Sequence, residues 1–246
     1  MNRSLWRASL TESYCPPYPC PRCEATIRLV KDSFSYAETR ESKAARNHDE
    51  WDPEWIEYIF SASALCSNKN CQENFRILGA GGVGPSEAEE GWSYEDYFKS
   101  LYLQPMSHII KISTKCPDDV KTDLVESFEV FWRHKTSCAN LIRSALEKLL
   151  THEGIPCERL SSKDATKMVA IPLHQRIETY SKSEPVIGSQ LMALKWLGNA
   201  GSHGSKVNVD DLLDAFEILE HSLEEIVEKR SKKIANLAAK LTKKHS

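Results

Sequence analysis

Two groups of residues in this chain have the types and spacing to do chemistry. The first is Cys20-Pro-Arg-Cys23 together with Cys66-Ser-Asn-Lys-Asn-Cys71. Each pair closes a turn that aims two thiolates in one direction, and two such turns bring four sulfurs to one tetrahedral ion. Zinc suits four sulfurs because it has no redox chemistry of its own. Such a coordination sphere is closed, so the expected role of Zn2+ at Cys20, Cys23, Cys66 and Cys71 is structural, not catalytic. The competing reading is four reduced thiols in a small core. Cys15 is a spare that could replace one ligand; Cys116, Cys138 and Cys157 are scattered, and Cys138 falls on an apolar helical face.

The second group lies in Leu194–His203, L-K-W-L-G-N-A-G-S-H. A glycine inside a helix costs about 1 kcal/mol relative to alanine. Gly198, Gly201 and Gly204 therefore predict a helix end, where the cation of Lys195, the amide of Asn199 and the imidazole of His203 converge. That grouping can bind and cleave a phosphodiester. It can equally cap a helix and hold a loop. A polar stripe of Asn140, Arg143 and Glu147, at i, i+3 and i+7, lies beside the apolar positions Cys138, Ile142, Ala145 and Leu149. Arg143 and Glu147 are spaced to pair on a solvated face. Turned toward the 195–203 segment, the same stripe would orient His203 or supply a second cation.

The elements that must position these groups change character near residue 104. Up to Gln104 the pattern is short strands and turns, expected at 25–30 and 55–65 and at Phe75–Gly79, with a charged loop at 38–54. Residues 1–104 read as a small β domain on a zinc-ribbon-like site. Gly79-Ala-Gly-Gly-Val-Gly84 matches a dinucleotide fingerprint only in letters. No helix pattern follows it to receive a pyrophosphate, and an acidic run does, so a flexible interdomain loop is expected.

Residues 105–246 read as a helical domain. Pro117 and the acidic pair Asp118-Asp119 start a helix carrying Val120, Leu124, Phe128 and Phe131. Ser137 is the expected cap of the next helix, which closes near Gly154. Short helices are expected at Leu173–Tyr180 and Pro185–Leu197. The last helix begins near Asn208 or Asp210, with a seam from Leu212 through Phe216, Leu223, Arg230 and Ile234 to Leu241. Unbroken by Gly or Pro, it would span about 50 Å, longer than its neighbours can cover, so its basic end is expected to project, fray or pack on a partner. The fold class is thus α+β, a β domain followed by a helical bundle with a long C-terminal helix.

Composition sets outer limits. With 246 residues, 41% hydrophobic and 27% charged, the chain is an ordinary globular sequence with room for one large or two small domains. Its net charge of -3 carries no global bias toward nucleic acid, but Lys229–His245 is strongly basic. The absence of a long apolar run argues against a membrane span. The N-terminal residues lack an apolar signal core, so a cytoplasmic location is expected, where cysteines serve metals or stay reduced.

The order of these features resembles the bacterial domain-of-unknown-function family 4145: Cys20/Cys23, Cys66/Cys71, the punctuating Pro105 and Pro117, then Arg143-Ser-Ala-Leu-Glu147 and Lys195-Trp-Leu-Gly-Asn-Ala-Gly-Ser-His203. The resemblance spans about residues 20 to 228. It implies a HEPN-like helical bundle, a superfamily with many metal-independent endoribonucleases that work as dimers and occur in toxin–antitoxin and antiphage systems. It further implies Lys195 in the place of the motif arginine, with a longer spacing to His203 than the ribonuclease motif has. Lysine offers a point charge where arginine offers a fork.

Two functions of different class follow as expectations. In one, the chain is a zinc-binding, HEPN-like component of a prokaryotic defence, restriction or toxin–antitoxin type system. It would bind RNA, DNA or a partner protein, the last through the C-terminal helix, and form a homodimer. In the other it is an endoribonuclease. His203 would then be the general acid or base at the ribose 2′-hydroxyl, Lys195 and Arg143 would stabilise the phosphorane, Asn199 and Glu147 would position, and a 2′,3′-cyclic phosphate would be the product.

Overall fold

The computed structural model describes every residue except 89–90, 165, 203–205 and 246. Asn2–His108 form one compact unit, and the chain from Ile109 onward, with Met1, forms another.

The first unit is a five-stranded antiparallel sheet of β1 (Ile27–Leu29), β2 (Ser35–Glu38), β3 (Glu57–Cys66), β4 (Asn74–Ala88) and β5 (Gly91–Gln104). β1 and β2 pair with opposite ends of one edge of β3, Ile27 opposite Cys66 and Tyr36 opposite Phe60. β4 takes the other edge of β3, and β5 pairs with β4. Alternation along β3 separates the faces: Phe60, Ala62, Ala64 and Cys66 are buried, while Glu57, Ile59 and Ser61 are exposed. Buried Phe60 and Phe98 pack together with the partly buried Phe34, their ring centroids 4.9 to 5.4 Å apart.

Two expected loops are structured. The 38–54 segment contains α1 (Arg40–Ala45), started by Thr39, whose hydroxyl accepts from the Ser42 N–H at 3.2 Å. The glycine run is the middle of β4, not an interdomain loop. The reason is cross-strand: Gly79 faces the Phe60 ring, and a Cβ on Gly81 would stand 2.5 Å from Phe98 Cδ1. Bare backbone makes room for rings from both neighbouring strands, and those rings supply the packing that glycine lacks.

The second unit contains α2 (Asp118–Val130), α3 (Lys135–His152), α4 (Leu173–Ser181), α5 (Pro185–Ser202), α6 (Val209–Glu228) and α7 (Arg230–His245). It is not all-α: β6 (Glu158–Leu160) and β7 (Met168–Ala170) pair as a hairpin. Val120, Leu124, Phe128 and Phe131 are all buried, as their spacing predicts, and Phe128 and Phe131 pack on Phe216 of α6. α3 starts before the expected cap. The Cys138 N–H already bonds to His134 O at 2.9 Å, which puts Ser137 inside the first turn. Among the described residues no helix is long and apolar enough to cross a membrane.

The long C-terminal helix is broken. Lys229 adopts φ 51° and ψ 45°, and its N–H bonds to Glu224 O, ending α6 five residues back in the way a glycine usually does. The bend is tied by side chains. Lys229 reaches Glu153 at 3.0 Å, Lys233 reaches Glu228 at 2.8 Å, and Arg230 reaches Glu224 at 2.8 Å. Ser113 and Lys115 also engage Glu228. No residue of α7 is buried, and Ile234, Leu237 and Leu241 are exposed.

Candidate metal centre and the helix α3–α5 polar cluster

The two cysteine turns are near copies of one another. After Cys20 the chain turns back, with the Glu24 N–H bonding to Cys20 O and the Cys20 N–H to Ala25 O. In the other, Asn68 O accepts from Cys71 and Gln72. The residue after the second cysteine is left-handed in both, Glu24 at φ 60° and Gln72 at φ 48°. A non-glycine residue in that region costs of order 1 kcal/mol. The Asn68 N–H points at Cys66 Sγ at 3.4 Å. Arg22 on the first turn pairs with Glu73 beside the second.

The four Sγ atoms lie within 4.8 Å of one another. Cys20 and Cys71 are 3.8 Å apart, Cys23 and Cys66 3.4 Å. A tetrahedral ion with Zn–S bonds of about 2.3 Å needs sulfurs about 3.8 Å apart, so the set fits. The thiols differ in ease of ionisation. The Ala25 amide is the main influence drawing Cys23 down to about 7, while burial pushes Cys66 up to about 12 and Cys20 upward. Four adjacent thiolates repel, and a divalent cation at their centre is what makes full ionisation favourable. Cys15 is buried and bonds to Pro16 O at 3.3 Å, outside this set. Cys138 is fully buried packing; Cys116 is buried and Cys157 exposed.

The second group is arranged differently from the helix-end expectation. α5 runs through Gly198 to Ser202. Gly198 is the point where α5 meets α3: a Cβ there would stand 2.8 Å from Arg143 Cβ and 3.2 Å from Ala139 O. The glycine permits close helix approach instead of stopping the helix. Across that contact Arg143 Nη1 donates to Asn199 Oδ1 at 2.5 Å, and Arg143 Nε donates to Glu147 at 3.3 Å. Arg143, Glu147 and Asn199 are thus joined, with Arg143 and Glu147 side chains partly open to solvent. Lys195 is only 7% exposed, and its ammonium rests 3.4 Å from the Trp196 ring centroid. His203 lies outside the described residues.

One neighbour of this cluster carries no motif in the sequence. Arg176 of α4 is buried and donates to Glu147 O, Thr151 Oγ1 and Ile155 O, closing the C-terminal end of α3. Its position after Pro172, near the start of an amphipathic helix, was the available signal. Exposed His174, 3.3 Å from Glu178, has its ring 6.5 Å from that of Trp196.

Fold and site together define a class: a two-unit α+β protein with a four-cysteine cluster in its sheet unit and a polar α3–α5 seam in its helical unit. Residues 125–244 match the model of DUF4145, a domain of unknown function. Residues 8–105 match the model of DUF8608, also a domain of unknown function. The cysteine pairs therefore fall in the second of these domains, and the stretch from Arg143 to His203 in the first. No curated protein and no solved structure matches the chain.

Proposed function

We propose that this chain is a structural-zinc, HEPN-like binding protein that takes up nucleic acid through α7, as a component of a prokaryotic defence, restriction or toxin–antitoxin type system. One observation carries this reading. α7 holds Arg230, Lys232, Lys233, Lys240, Lys243 and Lys244 with no acidic residue, and buries none of its side chains. Arg230 and Lys233 are occupied by Glu224 and Glu228. The other four lysines have no ion pair among the described residues. A row of unpaired cations on a surface helix suits phosphates, whose condensed counterions it displaces. The zinc holds the sheet unit together without an open coordination position.

The test is deletion of residues 229–246 and titration with RNA and DNA over a range of salt. Binding should weaken, and the slope of log K against log salt should become shallower by about 0.7 to 0.9 per lost phosphate contact. Unchanged affinity overturns the reading.

The Arg143–Asn199 bond favours a second reading, the endoribonuclease. Arg143 and Lys195 would stabilise the phosphorane, Asn199 and Glu147 would orient, and His203 would move the proton at the ribose 2′-hydroxyl, with two copies pooling their motifs in one cleft. Chelator-resistant RNA cleavage by the wild type, lost in His203→Ala and Arg143→Ala, is the expected result. Folded, dimeric wild type that leaves varied RNAs intact removes it.

A further inference from the structure

The sheet has an outer face that none of the described residues of its own unit covers. Ile59 of β3, Leu78 of β4, and Tyr97 and Tyr102 of β5 are exposed, while their sequence neighbours Phe60, Ile77, Phe98 and Leu103 are buried. The register lines these residues up across the strands. Ser61, Leu78 and Tyr102 form one row, Ile59, Ala80 and Lys99 the next, and Glu57, Gly82 and Tyr97 the third. Arg76 stands opposite Gln104 on the same face, its guanidinium donating to Ser63 Oγ at 2.8 Å.

The glycines left unexplained by the dinucleotide pattern have a role here. Gly79 and Gly81 make room on the core face, but Gly82 and Gly84 fall on the outer one. A Cβ on Gly82 would meet the Tyr97 hydroxyl at 3.1 Å, and one on Gly84 would meet Tyr97 Cε1 at 3.4 Å. The Tyr97 ring thus lies along β4 where side chains would otherwise stand. Lys99 Nζ is 5.2 Å from its centroid. Tyr102 is four β4 residues further on, about 14 Å along the strand. Ile59, Ala80 and Lys99 form the row between the two rings, and Leu78 stands beside Tyr102. Glu57 and Glu95 lie at the Tyr97 end, and Arg76 at the Tyr102 end, so the face becomes more positive from Tyr97 toward Tyr102.

We infer that this face binds single-stranded nucleic acid, with Tyr97 and Tyr102 stacking on unpaired bases and Lys99 and Arg76 meeting the phosphates between them. Exposed aromatic planes interleaved with cations on a sheet face are what a strand of splayed bases requires. A duplex keeps its base faces stacked on one another and offers them to no ring. The inference goes beyond the α7 reading, since it draws on the sheet alone.

The experiment is titration of the full-length, metal-loaded protein with a labelled pyrimidine single strand of about 12 nucleotides and with the matching duplex. The single strand should bind more tightly. Tyr97→Ala and Tyr102→Ala should each weaken it by about 5- to 150-fold, the range of one lost base stack. Tyr97→Phe and Tyr102→Phe, which keep the ring, should bind as wild type. Lys99→Ala should reduce the salt slope by about 0.7. All of these side chains are exposed, and an unchanged Tm and metal content verify the fold of each variant. A folded Tyr97→Ala/Tyr102→Ala double variant that binds the single strand as the wild type does overturns the inference. So does wild type that binds no single strand at low salt. Binding lost only on deletion of 229–246 would uphold the α7 reading and overturn this one.

Discussion

The cysteine cluster and the α3–α5 cluster are both small polar constellations, yet they are assembled by opposite means. The four cysteines are placed by two local turns, each closed within a few residues and each carrying its own left-handed residue. Arg143, Glu147 and Asn199 are placed by two helices that meet because Gly198 lets them. A local turn is written in consecutive letters. A helix–helix approach depends on what lies opposite, 56 residues away in the case of Arg143 and Asn199. The first kind of site should fail when its metal or a ligand is removed. The second should fail when its spacing is changed.

The largest effect is expected at the metal. Metal analysis should give about one zinc per chain, and chelation or Cys66→Ala should abolish the cooperative unfolding of residues 2–108, since structural zinc contributes about 10–16 kcal/mol of apparent binding free energy. Acid should do the same, because all four ligands must be thiolates and protons compete with the ion as pH falls. Metal-free protein with an unchanged unfolding transition would remove the distinction between the two sites.

A smaller effect is expected at the helix contact. Gly198→Ala gains about 1 kcal/mol of helix propensity but drives a methyl against Arg143. Overpacking of that kind costs about 1–3 kcal/mol, so the variant should be less stable by up to about 2 kcal/mol. It should also separate Arg143 from Asn199, visible as changed side-chain NMR signals of Asn199. A more stable Gly198→Ala would mean the helices meet less closely than drawn.

The smallest effect concerns pH and the bend at Lys229. Lys233, then Ser113, hold the Glu228 carboxyl down at about 2. A depressed carboxylate stabilises the fold above its unfolded value, near 4.3, and that contribution fades as pH falls toward 2. The contacts of Glu228 with Lys233 and Lys115 should therefore weaken between about pH 4.5 and 2, while Glu228→Gln should show them weakened already at neutral pH. Chemical shifts of Ser231–Lys233 report it; a bend indifferent to both changes does not rest on Glu228.

Legibility in the sequence followed the same division. The two cysteine pairs, the Pro117 start of α2 and its buried apolar positions could be read because each rests on neighbours in sequence. The start of β4 at Phe75–Gly79 could be read too, but its glycine-rich continuation and β5 could not, since glycine disfavours strands and the compensating rings of Phe60, Phe98 and Tyr97 sit on other strands. From propensity alone Gly198 looks like a helix stop, for the same reason: propensity is local, and the partner that overrides it is on α3. The alternation in Y-F-K-S-L-Y-L, 97–103, was the signal for the outer sheet face, blurred by the register shift opposite Leu78/Gly79.

The left-handed lysine at 229 has a wider consequence. One stripe, apolar except at Arg230, runs through the letters of α6 and α7, yet only its first part serves the interior. A single pair of dihedral angles converts the remainder from core into handle. Selection acting on position 229 and the few acidic side chains that grip it can therefore re-aim a whole charged arm while the packed bundle beneath stays the same.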